Sequence, residues 1–177
     1  MNANDDIELM RQVRQGSEAA LRELVERYRV RLYRLAYNLL DDHASADDAV
    51  QETFIRLWQQ ARRFRPGSSV SSWLCTVCAR RCYDELRRRR RHLEAVAPFV
   101  LDAVRPDALE ADELMSLLQR VVANLPTKQR VVYQLREIEQ MDTDEVAAAT
   151  RLSVDQVKAN LYLARNTVRE KLKQYGI

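Results

Sequence analysis

From position 21 onward the apolar residues Leu21, Leu24, Val25, Tyr28, Leu32, Leu35, Ala36 and Leu39 recur with the 3.6-residue period of an α-helix. A segment patterned in this way has one long face to bury and cannot alternate as a strand does. The chain also has few means of turning, with 3 Gly and 4 Pro among 177 residues against 46% apolar content. Amphipathic helices joined by short loops satisfy both facts, and the expected fold class is all-α. A chain of this length can bury roughly 70% of its unfolded surface, enough for one domain or two small ones.

The helix boundaries follow from local chemistry. A short amphipathic segment near Ile7 to Val13 comes first, then Gly16 as a stop and Ser17 as an N-cap. "DDHAS" interrupts the pattern, and a second helix is expected from about Ala46, with Val50, Phe54, Leu57 and Trp58 inward and Asp48, Gln51, Glu52, Ile55, Arg56 and Gln59 outward. "FRPGSSVSSW" reads as a loop, after which Trp73 and Leu74 begin a third helix that should end near residue 92. Residues 93–106 contain Pro98 and Pro106 and read as a linker; "PDALEADELMSLLQRVVANLP" then frames a helix, and another runs from about Thr127 to Glu139. Two small helical domains are expected, 1–92 and 107–177.

Charge is distributed unevenly behind the formal value of +3. Arg80 to Arg91 holds seven bases, five of them consecutive from Arg87, against only Asp84 and Glu85. Such a run is either a solvated helix end or a track for a polyanion, and its neighbours must decide. Cys75, Cys78 and Cys82 share one helical face, where small core residues sit; with no fourth cysteine and only His43 and His92 as histidines, packing is the reading rather than a metal site. No cofactor is implied. There is no apolar run long enough to span a membrane and no secretory leader, so a cytoplasmic protein without stable membrane insertion is expected.

The last fifty residues are more specific. "DTDE" and "SVDQ" are both capping boxes, a cap residue followed three places later by Glu or Gln, and they open two helices separated by "ATRL". Helix, tight turn and helix make a helix-turn-helix. In the second helix Val157, Leu161, Ala164 and Val168 fall inward. Asp155, Lys158, Ala159, Tyr162 and Leu163 fall outward, flanked by Arg165 and Arg169. Cations there would neutralise phosphates and release counterions.

Taken together, "LVERYRVRLYRLAYNLL", "ADDAVQETFIRLW", "FRPGSSVSSWL" and "LPTKQRVVYQLREIEQMDTDEVAAATRLSVDQVKANLYLAR" resemble, in this order, the extracytoplasmic-function (ECF, group 4) sigma factors of bacterial RNA polymerase. The resemblance implies a promoter-recognition subunit without catalysis of its own. Asp48, Gln51, Glu52, Ile55, Arg56 and Gln59 would dock on the clamp helices of the largest polymerase subunit. Arg65, Ser68, Ser69, Ser71, Trp73, Arg80, Arg81, Arg87, Arg88 and Arg89 would hold the melted strand of the minus-ten element. The physics agrees, because a polar loop can bond an extruded base and arginines can hold its backbone. Arg151, Asp155, Gln156, Lys158, Ala159, Tyr162, Leu163 and Arg165 would face the duplex of the minus-thirty-five element. An anti-sigma protein is a further implied partner.

Three positions depart from the family pattern: Arg80 replaces a common Asn, Arg151 a common Gly, and Leu163 a frequent basic residue. Arg151 must therefore adopt a left-handed backbone or change the turn. Two other classes compete with this reading. An enzyme would need a Gly-rich phosphate loop, a nucleophile with a His partner or a set of metal ligands, and the sequence carries none of these. A stand-alone helix-turn-helix regulator would bind palindromic half-sites as a dimer and leave the first domain without a task.

Overall fold

A computed structural model describes residues 3–64, 69–96 and 113–174, and every element in it is helical. The first helix, α1 (Ala3–Arg14), lies on α2 (Glu18–Leu40). Buried Asp6 of α1 accepts from the Tyr28 hydroxyl and, at 2.9 Å, from Arg27 of α2. A buried carboxylate needs such partners, and these two tie the helices together. Burial and the adjacent carboxylate push the Tyr28 hydroxyl well above its ordinary pKa.

Gly16 has φ +91°, as a residue ending a helix can only cheaply be if it lacks Cβ, and the Ser17 hydroxyl caps α2 by accepting from the Ala20 N–H at 3.3 Å. Leu24, Tyr28, Leu32, Leu35, Ala36 and Leu39 are all buried, as their period requires.

Two corrections to the expected helix starts share one cause, a serine or aspartate side chain acting earlier than the apolar period begins. Helix α3 (His43–Gln60) opens three residues before Ala46, because the Asp42 carboxylate accepts from the Ser45 N–H at 2.7 Å. Helix α4 (Val70–Val96) opens before Trp73, because Ser69 accepts from the Ser72 N–H at 3.3 Å. It also continues past residue 92 into the segment read as linker. The rest of that segment and the proposed helix start at Pro106 lie outside the described residues.

The second half contains α5 (Glu113–Ala123), α6 (Thr127–Tyr133), α7 (Thr143–Thr150) and α8 (Val154–Gln174). The helix expected from Thr127 to Glu139 changes character midway: Gln134–Ile138 is π-helical, one residue wider per turn. One apolar cluster runs from α1–α4 into Val131, Leu135, Met141, Val146, Ala149 and Val157 of the second half. A smaller cluster of Leu117, Val121, Val122, Leu125, Tyr133, Ala164 and Val168 holds α5 to α6 and α8. The two halves therefore abut, with α7 lying against α4.

Cys75, Cys78 and Cys82 are at most 1% exposed in the first cluster, where Cys78 Sγ lies 3.8 Å from the Leu32 carbonyl oxygen. Burial pushes the Cys75 thiol up to about 12. A hydrogen bond shared with Cys82, together with burial, holds the Cys78 thiol well above the usual range. Thiols kept protonated in this way behave as small apolar residues.

Candidate nucleic-acid and polymerase interfaces

Both capping boxes form. Asp142 accepts from the Glu145 N–H at 2.7 Å while Glu145 accepts from the Asp142 N–H at 3.0 Å; Ser153 and Gln156 repeat the exchange at 3.2 and 3.0 Å. Between the two helices Arg151 stands at φ 59°, ψ 27°, the left-handed conformation its position demanded, and its N–H reaches the Ala147 carbonyl at 2.8 Å. Buried Val157, Leu161, Ala164 and Val168 seat α8, so Asp155, Lys158, Ala159, Tyr162, Leu163 and Arg165 are all exposed. Tyr162 and Leu163 are 66% and 49% exposed, adjacent on the outward side of α8.

Of the eight residues expected to face the duplex, three have side chains with protein partners. Gln156 Oε1 is occupied as a cap, Arg165 Nη2 donates to Glu137 at 2.7 Å, and Arg151 Nη2 lies 3.4 Å from Asp84 on α4. Glu137 belongs to the π-helical segment and fixes where the Arg165 guanidinium sits.

The positions assigned to the melted strand are spread along α4 and are not equivalent. Arg65 and Ser68 lie outside the described residues. Ser69 is the cap of α4, and Ser71 Oγ accepts from Arg31 Nη1 at 2.6 Å. Trp73 is half-buried, its ring edge-on to Phe64 with centroids 6.3 Å apart. Arg80 donates from Nη2 to the Ala148 carbonyl oxygen of α7, while its buried Nε has no acceptor among the described residues.

The arginine run divides in the same way. Glu85 is buried on the same helix, and Arg88 and Arg89 bond to it at 2.8 to 3.0 Å with Arg81 at 3.6 Å. Arg88 and then Arg89 hold the Glu85 carboxyl below its usual range, against the opposing effect of burial. Arg89 is half-buried; it also donates to the Leu40 carbonyl at 3.2 Å and to the Ser45 hydroxyl. It joins the end of α2 to the start of α3, a structural task the run of like charge concealed. Arg87 is exposed over the Tyr83 ring at 5.9 Å.

On α3, Asp48, Gln51, Ile55 and Gln59 are exposed, and Glu52 and Arg56 are half-exposed and paired at 2.8 Å. Trp58 corrects the sequence expectation: it is 40% exposed beside Ile55 at 42%, not inward. One residue beyond Leu57 is about 100° around the helix, which carries the indole off the buried stripe of Ala46, Ala49, Val50, Thr53, Phe54 and Leu57. Its one-residue offset from Leu57 could have shown this. Arg31, Glu137 and Glu139 were missed because their partners lie far away in sequence.

Comparison with known proteins matches the Sigma-70 region 2 family to residues 24–92 and the Sigma-70 region 4 family to residues 115–168. The ECF RNA polymerase sigma factor SigW of Bacillus subtilis is 27% identical, over 93% of this chain and 95% of that protein. The ECF RNA polymerase sigma factor SigL of Mycobacterium tuberculosis is 30% identical, over 92% and 94%. Among solved structures, CnrH in complex with the cytosolic domain of CnrY matches with a TM-score of 0.66 and 26% identity, over 96% of this chain and 97% of that one. Among the described residues no helix is long and apolar enough to cross a membrane. With two sigma regions in order, a 30% identical relative matched along nearly its whole length and a helix-turn-helix carried on the second region, the chain belongs to the extracytoplasmic-function sigma factors, which direct promoter-specific initiation by bacterial RNA polymerase.

Proposed function

We propose that this group 4 sigma factor divides its work between its two sigma regions, 1–92 for polymerase docking and the minus-ten element and 107–177 for the minus-thirty-five element. The observation that carries the division is the placement of exposed side chains. An outward set on α3, with Ile55 and Trp58 uncovered, falls inside the region 2 match, and the outward set on α8 falls inside the region 4 match. Asp48, Gln51, Glu52, Ile55, Arg56, Trp58 and Gln59 then meet the clamp helices of the largest polymerase subunit. Lys158 and Tyr162 read the major groove, and Arg165 takes phosphate.

The chain contributes recognition and not catalysis, acts in the cytoplasm, and is held by an anti-sigma protein until needed. The CnrH structure, in which a similar chain is in complex with the cytosolic domain of CnrY, supports a protein partner of this kind for the fold. A stand-alone regulator would use α7 and α8 alone and would leave the α3 face and the arginines of α4 without a task. The deciding experiment adds purified protein to sigma-free core polymerase on fragmented genomic DNA. Discrete run-off transcripts are expected; a folded protein that binds duplex DNA but yields none on any fragment favours the regulator.

A further inference from the structure

Glu85 is a carboxylate in the middle of the basic run from Arg80 to Arg91, where a negative charge should repel a DNA backbone. It is also buried, so any action on DNA must pass through its neighbours.

Three guanidinium groups take its two oxygens. Arg88 grips both, Nε donating to Oε2 at 3.0 Å and Nη2 to Oε1 at 2.8 Å. Arg89 Nε donates to Oε1 at 3.0 Å, and Arg81 Nη1 lies 3.6 Å from Oε2 without a hydrogen bond. Arg89 is turned inward, to the Leu40 carbonyl and the Ser45 hydroxyl. Arg88 is different: its side chain is 72% exposed, and among the described residues Glu85 is its partner at both ends of the fork. An exposed arginine ordinarily samples many rotamers, and immobilising it on a ligand costs affinity. The fork occupies two of the five guanidinium N–H donors and leaves the others, on Nη1 and the far side of Nη2, in fixed places for a second acceptor.

We infer that Glu85 is a positioning residue for the melted strand: it fixes the Arg88 guanidinium where the DNA backbone meets α4 and touches no DNA itself. This rests on the assignment of Arg88 to the minus-ten strand made above. Two effects of the carboxylate oppose each other. Its charge lowers the attraction for phosphate, and its bonds spare Arg88 a loss of freedom on binding. The charge already faces three cations within 3.6 Å, and its field is screened over about 8 Å at 0.15 M salt. The loss of freedom is not screened, so positioning should win at moderate salt.

Glu85→Gln and Glu85→Met test this with the full chain bound to core polymerase, on a pre-melted bubble template built from a promoter fragment found by run-off. Both remove the charge, and methionine suits a buried site on a helix. Charge alone predicts tighter binding to the bubble in both. Positioning predicts weaker binding at about 0.15 M salt, by about three- to tenfold, with glutamine, which keeps one acceptor, losing less than methionine. In an Arg88→Gln background the further loss should shrink to under about twofold, because Glu85 acts through that side chain. An acid with a merely structural role would keep its effect there. Circular dichroism at the assay temperature checks that each variant is folded. Tighter or unchanged binding in both variants, or an undiminished loss in the Arg88→Gln background, would overturn the inference. If Arg88→Gln alone binds the bubble as the wild type does, the assignment of Arg88 to the strand fails with it. If Arg88→Gln weakens binding and the Glu85 variants do not, only the positioning role is lost.

Discussion

Arg89 donates to the carbonyl oxygen of Leu40, 49 residues earlier in the chain, at 3.2 Å, and so supplies a donor to the last turn of α2. It is the one arginine of the run from 87 to 89 whose guanidinium joins helices other than its own. Hydrogen bonds from a charged group contribute about 1.5–3 kcal/mol, and losing this one also leaves Glu85 with fewer partners. Arg89→Gln should therefore lower stability by about 2 kcal/mol, whereas Arg87→Gln, exposed over Tyr83, should change it by under about 0.5 kcal/mol. Denaturant midpoints measure both. Arg87→Gln should instead weaken open-complex formation, read as permanganate reactivity of promoter thymines, and the defect should deepen with salt.

The outward face of α3 gives a second separation of folding from binding. Trp58→Ala removes an indole that is 40% exposed, so stability should fall by no more than about 1 kcal/mol. A tryptophan at the centre of an interface commonly contributes about 2 kcal/mol, and affinity for core polymerase should drop roughly thirtyfold. Gln51→Lys with Glu52→Lys should weaken docking with similarly little effect on stability. A pull-down titration with unchanged affinity for both variants would remove α3 from the docking surface.

On α8 the expected effects differ in kind. Arg165→Ala should weaken binding to all duplexes alike and flatten the salt dependence by about one unit, the signature of one lost phosphate contact. Lys158→Ala should also alter base preference in a promoter-library selection. Glu137→Gln, which frees the Arg165 guanidinium from a carboxylate 2.7 Å away, should change affinity without altering preference.

How much of this was legible in the sequence depends on the range of the interaction responsible. The two capping boxes, the Ser17 cap, the left-handed Arg151 and the buried stripe of α8 are all decided within four residues, and each stood in the sequence. The starts of α3 and α4 were misplaced because Asp42 and Ser69 capped ahead of the apolar pattern used to find them. The π-helical turn at Gln134–Ile138 has no local sign, since it answers to packing on both sides. Arg31 and Glu139 are 108 residues apart, and no periodicity could pair them. The α3 and α8 faces were readable because exposure there is the complement of a regular buried stripe. The arginine run was not readable in the same way, because Glu85 and the end of α2 sort its members.

Arg151 permits a test on stability alone. At φ 59° a residue with Cβ is held in a conformation costing about 1 kcal/mol or more, which glycine adopts freely. Its pair with Asp84 is exposed on both sides and contributes less than that. Arg151→Gly should thus stabilise the fold, raising the melting temperature by about 2–4 °C in differential scanning calorimetry. A fall in melting temperature would mean that the Asp84 contact outweighs the strain.

The buried Cys75 thiol gives the fold one source of alkaline sensitivity. Burial pushes the Cys75 thiol from an ordinary value of 9.0 up to about 12, so the folded chain keeps a proton that the unfolded chain releases as pH rises above about 9. The unfolded state then binds fewer protons than the folded one, and stability must decline with pH across that window, from the unfolded value towards the folded one. Below pH 9 the contribution is complete and flat. Cys75→Ala removes the titrating group, so the decline in denaturant midpoint between pH 9 and 11 should become shallower than in the wild type, at the expense of a small cavity that lowers the whole curve. The same burial predicts that none of the three thiols reacts with a thiol-specific reagent at pH 8 until denaturant is added, at which point all three should react together. Prompt modification of Cys75 in the folded protein would show that the apolar face of α4 opens to water, and would remove the basis for the alkaline prediction.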